Sequence, residues 1–159
     1  MSKASQTLRA IGDLDYYDQR SVALPHSITP LEAWNLIMAD PQPVLRAAFR
    51  VRDAISARFG VKRIGGFSGT PKDTVQVGDY LDFFLIEHVG PDVLILTERD
   101  RHLDVMTCIS TAEKCVTVTS SVVTHNLFGR VYMLPVGVAH KLIVSGMLRR
   151  LKRRLQPHG

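Results

Sequence analysis

Apolar positions along this chain follow two periods, and the switches between them mark the elements. Tyr16, Tyr17 and Val22 favour a first strand over about Asp15 to Leu24. A helical period begins at Thr29. Thr29-Pro30-Leu31-Glu32 is a capping box with proline at the first helical position, and it predicts a helix to about Ala39, with Ile28 and Ala33 as a weak staple. Asp40-Pro41-Gln42-Pro43 stops that helix. Val44, Ala47, Ala48, Val51, Ala54, Ile55 and Phe59 then recur at helical spacing up to Gly60, a natural C-terminal cap. Residues 61–79 hold Gly65, Gly66, Gly69, Pro71 and Gly78, and read as a flexible loop over a pocket mouth. Their Gly-Gly-Phe-Ser-Gly piece lacks the Gly-Lys-Ser/Thr ending of a phosphate loop.

A strand pattern follows. Phe83–Val89, Val93–Thr97, His102–Ile109 and Cys115–Thr124 are separated by turns at Gly90-Pro91-Asp92, Arg99-Asp100-Arg101 and Ser110–Lys114, which predicts an antiparallel meander of at least four strands. Alternation puts Leu103, Val105 and Ile109 on one face with Val116, Val118 and Val122. The other face holds His102, Asp104, Met106 and Cys108 with Cys115, Thr117, Thr119, Ser121 and His125. A turn centred between Thr111 and Ala112 sets Val105 opposite Val118, Cys108 opposite Cys115 and Ser121 opposite His102. A shift by two residues keeps the same faces. Asn126 is a good N-cap for a final helix running to about Leu155. Pro135 either kinks that helix or begins its main segment. Leu142, Ile143, Met147, Leu148, Leu151 and Leu155 form its apolar side. The fold class is α+β: an antiparallel sheet wrapped on a long C-terminal helix, with a two-helix insert after the first strand. The face that this helix covers decides whether His102 and Asp104 see a pocket or water.

Length and composition narrow the picture. The 159 residues fit a single domain, 1–159, with residues 1–12 as a loose N-terminal arm and 149–159 as a basic C-terminal end. With 45% hydrophobic and 22% charged residues, the chain is neither disordered, collagenous nor a disulfide-stapled miniprotein. The start has no apolar signal segment, so a cytoplasmic location with free Cys108 and Cys115 is the expectation. The net charge of +5 comes from Arg149, Arg150, Lys152, Arg153 and Arg154. A basic run suits the negative end of a helix dipole, and it also offers weak contact with an anionic surface. Nucleic acid is disfavoured, because it would call for a distributed basic face. Arg130, His140 and Lys141 interrupt the apolar stretch Leu127–Leu148. Its longest uncharged piece, Val131–Ala139, is nine residues. A bilayer span needs about 20, so a buried helix is expected here and not an anchor.

Several short motifs are shared with a known family. Arg52-Asp53, Val77-Gly78-Asp79, Asp100-Arg101-His102-Leu103-Asp104, Val122-Val123-Thr124-His125-Asn126-Leu127-Phe128-Gly129-Arg130-Val131-Tyr132 and His140-Lys141-Leu142-Ile143-Val144 resemble the bacterial domain-of-unknown-function family numbered 2867, over roughly residues 12–150. That family is usually grouped with helix-grip (SRPBCC, START-like) proteins. The resemblance implies an antiparallel sheet around a long C-terminal helix with an apolar ligand between them. It implies no particular reaction.

The candidate chemistry is sparse. Glu98, Asp100, His102 and Asp104 recur at two-residue spacing. On a continuous strand a carboxylate beside an imidazole makes a general base, whereas in a turn Asp100 is only a solvated turn residue. His125-Asn126, Arg130 and His140 match no metal-ligand spacing, so no metal and no cofactor are expected. Arg130, one turn into the helix, is placed to meet Asp104 or a ligand carboxylate. His140 reads as a buried, hydrogen-bonded histidine. Trp34, Phe49, Phe59, Phe83, Phe84, Met106, Tyr132, Met133 and Met147 line either a cavity or the core. No nucleophile elbow is present, and neither cysteine sits at a helix N-terminus. The favoured expectation is a binding protein for a small apolar or amphipathic ligand. Its pocket lies between sheet and final helix, with contacts from His102, Asp104, His125, Arg130 and Tyr132. The alternatives are a cyclase, isomerase or hydrolase using a His/Asp pair on the same fold, and an interaction module using the basic helix end.

Overall fold

The computed structural model describes residues 6–39, 43–58 and 70–157. A single 3-10 turn, Ile11–Asp13, leads into β1 (Tyr16–Ala23), α1 (Pro30–Met38) and α2 (Pro43–Arg58). Then come β2 (Tyr80–Leu81), β3 (Phe84–Val89), β4 (Val93–Arg99), β5 (Leu103–Ala112), β6 (Cys115–Thr124) and α3 (Leu127–Leu155). The strands form one sheet in the order β1-β6-β5-β4-β3-β2, every pair antiparallel. The expected α+β architecture is therefore present, with two helices after the first strand and a long helix at the end. Gly60, Phe59, the Asp40–Gln42 stop and the Gly-Gly-Phe-Ser-Gly piece lie outside the described residues.

Local signals set the helix starts. Thr29 and Glu32 form the reciprocal box: Thr29 N donates to Glu32 Oε2 at 2.7 Å and Glu32 N donates to Thr29 Oγ1 at 3.2 Å. Asn126 opens α3 by accepting from Gly129 N at 3.0 Å. The helix continues through Pro135 and does not begin there. Arg154, in the basic end, donates to Leu36 O of α1 at 2.8 Å, so part of that charge closes a neighbouring helix end.

The β5–β6 register differs from expectation. The turn falls on Glu113-Lys114, with Ala112 opposite Cys115, Val105 opposite Val122 and Cys108 opposite Thr119. A two-residue loop lets both strands keep pairing to their ends, and Glu113 accepts a left-handed φ of 54° to close it. Faces are preserved, but Cys108 and Cys115 are far apart in the ladder and both are free thiols. The same shift brings His125 level with His102, whose carbonyl accepts from His125 N at 2.8 Å. The β2–β3 hairpin is unforeseen. It turns on Asp82 at φ 56°, a position no glycine announces.

The inner face of the sheet carries Ile86, Leu94, Leu96, Ile109, Val116 and Val118. Against it pack Ala33, Trp34 and Met38 of α1 and Val144, Leu148 and Leu151 of α3. On the outer face, Val93, Ile95, Met106 and Cys108 form a smaller cluster with Leu8. Leu8 N donates to Ser121 Oγ at 3.1 Å, so the arm expected to be loose lies along this face in its described part. The final helix, expected to be buried, is buried only on one side.

Candidate functional site

β5 runs through the middle of the sheet, yet its two faces are treated differently. Outward-facing Met106 and Cys108 are buried, at 8% and 0% exposure. Inward-facing Leu103, Val105 and Thr107 remain only half-buried. The placement of the helices explains this. α3 lies over the β1–β6 edge, where Tyr16 meets Gly137 and His140. α1 fills the opposite end, with Trp34 edge-on to Phe84 at 5.9 Å. α2 bridges the gap between them. Its Arg52 guanidinium sits 6.0 Å over the Tyr132 ring of α3, and its Phe49 lies 6.1 Å from Phe83 in the β2–β3 turn. Leu103, Val105 and Thr107 thus stay partly open on the inner face of β5, which neither α1 nor α3 seals there. Glu98, opposite Val105, faces the same way.

One end of this open stretch gathers residues from three separate motifs. In the turn after β4, Asp100 Oδ1 accepts from His102 N at 2.7 Å and from Leu103 N at 2.9 Å. Asp100 is therefore a turn residue, and the Glu98-Asp100-His102-Asp104 alternation does not lie on one continuous strand. The His102 ring packs 4.6 Å from Phe128, which stacks 6.1 Å from Tyr132. Arg101 Nε donates to His102 Nε2 at 3.1 Å, and His102 Nδ1 is 2.9 Å from the Asn126 side-chain amide. Gly129 is pressed against the His102 carbonyl so closely that a Cβ there would collide with it. Burial pushes the Tyr132 phenol up, while Arg52 pulls it the other way.

The five residues named from sequence do not form one site. His102 and Tyr132 come together through Phe128. Asp104 and His125 point to the outer face, paired at 3.1 Å. Arg99 binds Asp104 at 3.3 Å and Glu87 at 3.2 Å, and Thr97 Oγ1 donates to Glu87 at 2.8 Å. That carboxylate–imidazole pair is thus part of a chain of mutually paired polar side chains. Arg130 is exposed and lies near Asp15 instead of Asp104. The Asp15 carboxylate accepts from Thr124 N at 2.7 Å, the main cause of its lowered pKa, with Arg130 a smaller one. His102 and His125 are level in the ladder but their rings diverge. No group of three metal-ligating side chains occurs among the described residues.

A polar set beneath α3 is not apparent from the motifs. His140 Nδ1 lies 3.1 Å from Tyr16 Oη, and its Nε2 lies 3.4 Å from Ser120 Oγ. Tyr16 Oη also donates to Gly137 O at 3.3 Å. Beside them Asp18, buried to 9% exposure, accepts from Arg20 Nε at 3.0 Å. Burial, and then Asp18, push the Tyr16 phenol up to about 12, and burial pushes His140 down. His140 is hydrogen-bonded as expected, but half-buried instead of buried. The sequence signal for its partner was Ser120, which interrupts the valines at 116, 118 and 122.

A protein-family profile described as "Protein of unknown function (DUF2867)" matches residues 10–147. No curated protein and no solved structure matches the chain.

Proposed function

The chain belongs to the DUF2867 family, and we propose that it binds a small apolar or amphipathic molecule between the inner face of the sheet and the helices above it. One observation carries this reading: three successive inward positions of a central strand, Leu103, Val105 and Thr107, stay partly open while outward Met106 and Cys108 are sealed. A folded core has no reason to leave apolar surface wet in the middle of a sheet. A site for an apolar body with a few polar contacts has that form. Leu103 and Val105 offer the apolar floor, Thr107 and Glu98 polar groups on it, and Tyr132 with Arg52 an aromatic and cationic side. His102 supports this side through Phe128. Asp104, His125 and Arg130 face away from this floor and are left out of the proposed site. The His125–Asp104 pair is remote from that site and already held by Arg99, so no reaction is assigned to it. Kinship with helix-grip proteins of the SRPBCC type and a cytoplasmic location belong to the same proposal. The order of elements, with α1 and α2 after β1 and α3 after β6, supports that kinship.

Native mass spectrometry of the freshly purified full chain, and fluorescence of added anilinonaphthalene sulfonate, test the reading. Val105→Trp and Thr107→Trp fill the floor. Wild type is expected to carry a releasable mass or to brighten the dye, and both variants to lose these signals. Leu134→Glu, on the outside of α3, should leave the carried mass in place. A bare wild-type protein whose dye response survives both tryptophans overturns the proposal.

A further inference from the structure

α3 is apolar on two sides, and the fold uses only one. Val144, Leu148 and Leu151 enter the core. On the far side Leu127, Val131, Leu134, Val138 and Leu142 are 75%, 56%, 72%, 63% and 70% exposed. At 100° per residue these five fall within an arc of about 80°. Arg149 and Lys152 continue the same arc toward the C-terminus, and both are exposed. The exposed ridge is thus a stripe of apolar side chains that ends in cations.

Charge identifies the occupant. α3 holds seven of the chain's 20 basic residues and none of its 15 acidic ones, so the remainder carries a net charge of −2 (13 basic, 15 acidic). A second copy of this helix would bring like charges together if parallel. An acid-free helix with one apolar stripe complements an anionic lipid surface, where leucines and valines enter the acyl boundary and arginines and lysines meet headgroup phosphates.

The helix is long and apolar enough to span a bilayer, and only 17% of its most apolar window is buried in the protein. Its packing argues against spanning. Gly129 abuts the His102 backbone and Gly137 abuts the Tyr16 ring, where an added Cβ would stand 2.9 Å from a ring carbon. Val144, Leu148 and Leu151 are core residues. Spanning would strip all of these contacts, whereas lying flat keeps them. We infer that the outward face of α3, from Leu127 to Lys152, docks this protein in the plane of an anionic membrane surface.

Flotation of the full chain with vesicles tests this, using phosphatidylcholine alone and phosphatidylcholine with about 30% phosphatidylglycerol. Wild type is expected to float with the anionic vesicles and at least about tenfold less with the neutral ones. Leu134→Glu with Val138→Glu should reduce that binding about tenfold at unchanged circular dichroism, because both positions are exposed. Arg149→Gln with Lys152→Gln should reduce it several-fold, and added salt should weaken wild-type binding without abolishing it. Absence of flotation overturns the inference. So does flotation indifferent to the two glutamates, which would reduce the contact to charge alone. A dimer in sedimentation equilibrium that Leu134→Glu dissociates also overturns it and gives the stripe to a second copy.

Discussion

The two faces of β5 solve different problems with the same strand. Outward, Met106 and Cys108 are packed under Leu8, and the polar residues nearby are matched one to the next: Thr97 to Glu87, Glu87 to Arg99, Arg99 to Asp104, Asp104 to His125. Inward, Leu103, Val105 and Thr107 are left half-open beneath a bridging helix. The contrast teaches that a dense polar array is weak evidence of a site when every member is satisfied. Incomplete burial at positions that a sheet would normally seal is the feature on which the proposed binding site rests.

The comparison can be broken at several points. The largest effect is expected at the joint that fixes one end of the open stretch. Gly129→Val drives a side chain into the His102 backbone, which has nowhere to move, and should cost about 3 kcal/mol, or roughly 9 °C in Tm. Gly137→Ala meets only the Tyr16 ring and should cost about 1 kcal/mol by the same thermal melt. The two faces are then weighed directly by denaturant titration. Met106→Ala should lose about 2–3 kcal/mol, as a buried large-to-small change does, and Val105→Ala less than about 1 kcal/mol. Equal losses would mean that the inner positions are packed like the outer ones.

A smaller effect concerns pH. Burial holds His140 below the ordinary histidine range, with Asp18 opposing and Arg20 assisting, and Tyr16 and Ser120 flanking its nitrogens. A histidine whose folded pKa is depressed binds fewer protons folded than unfolded. Its contribution is therefore full above the unfolded pKa and declines as pH falls through about 6.5. Wild-type stability should fall there by at most about 1.4 kcal/mol per pH unit, and the slope should flatten in His140→Gln. Smallest of all, Asp104→Asn removes a partly exposed pair and should cost about 0.5 kcal/mol, with dye binding unchanged. A loss of dye binding in that variant would return the outer face to consideration as the site.

Legibility followed the range of the interactions. The Thr29 box, the Asn126 cap, the span of β6 and the 29-residue final helix rest on neighbours a few residues apart, and all were readable. So was the sorting of β5 and β6 into two faces, because parity survives a shift of register. The register itself was not readable, since it depends on Glu113 adopting a conformation that its residue type rarely signals. Tyr132 and His102 are drawn together by Phe128, a link between the turn after β4 and α3 that no local pattern encodes. The sequence leaves open which sheet face α3 covers; it covers the valine face, which puts Asp104 and His125 on the other side. The open stretch of β5 depends on the sideways position of α2 and α3, which no periodicity encodes. Sequence alone does not reveal that the fold uses only one side of α3, so the buried helix expected over Leu127–Leu148 is instead exposed along Leu127, Leu134 and Leu142.

Leu8 has a further consequence. It packs against the cluster that holds Cys108, whose thiol burial pushes up and so makes sluggish toward alkylating reagents. The rate at which Cys108 reacts, beside that of the more accessible Cys115, therefore times the peeling of the amino-terminal segment separately from global unfolding. An affinity tag fused ahead of that segment would tug on the same latch, and one fused at the other terminus would crowd the basic run. The choice of tag thus becomes an experimental variable for this protein.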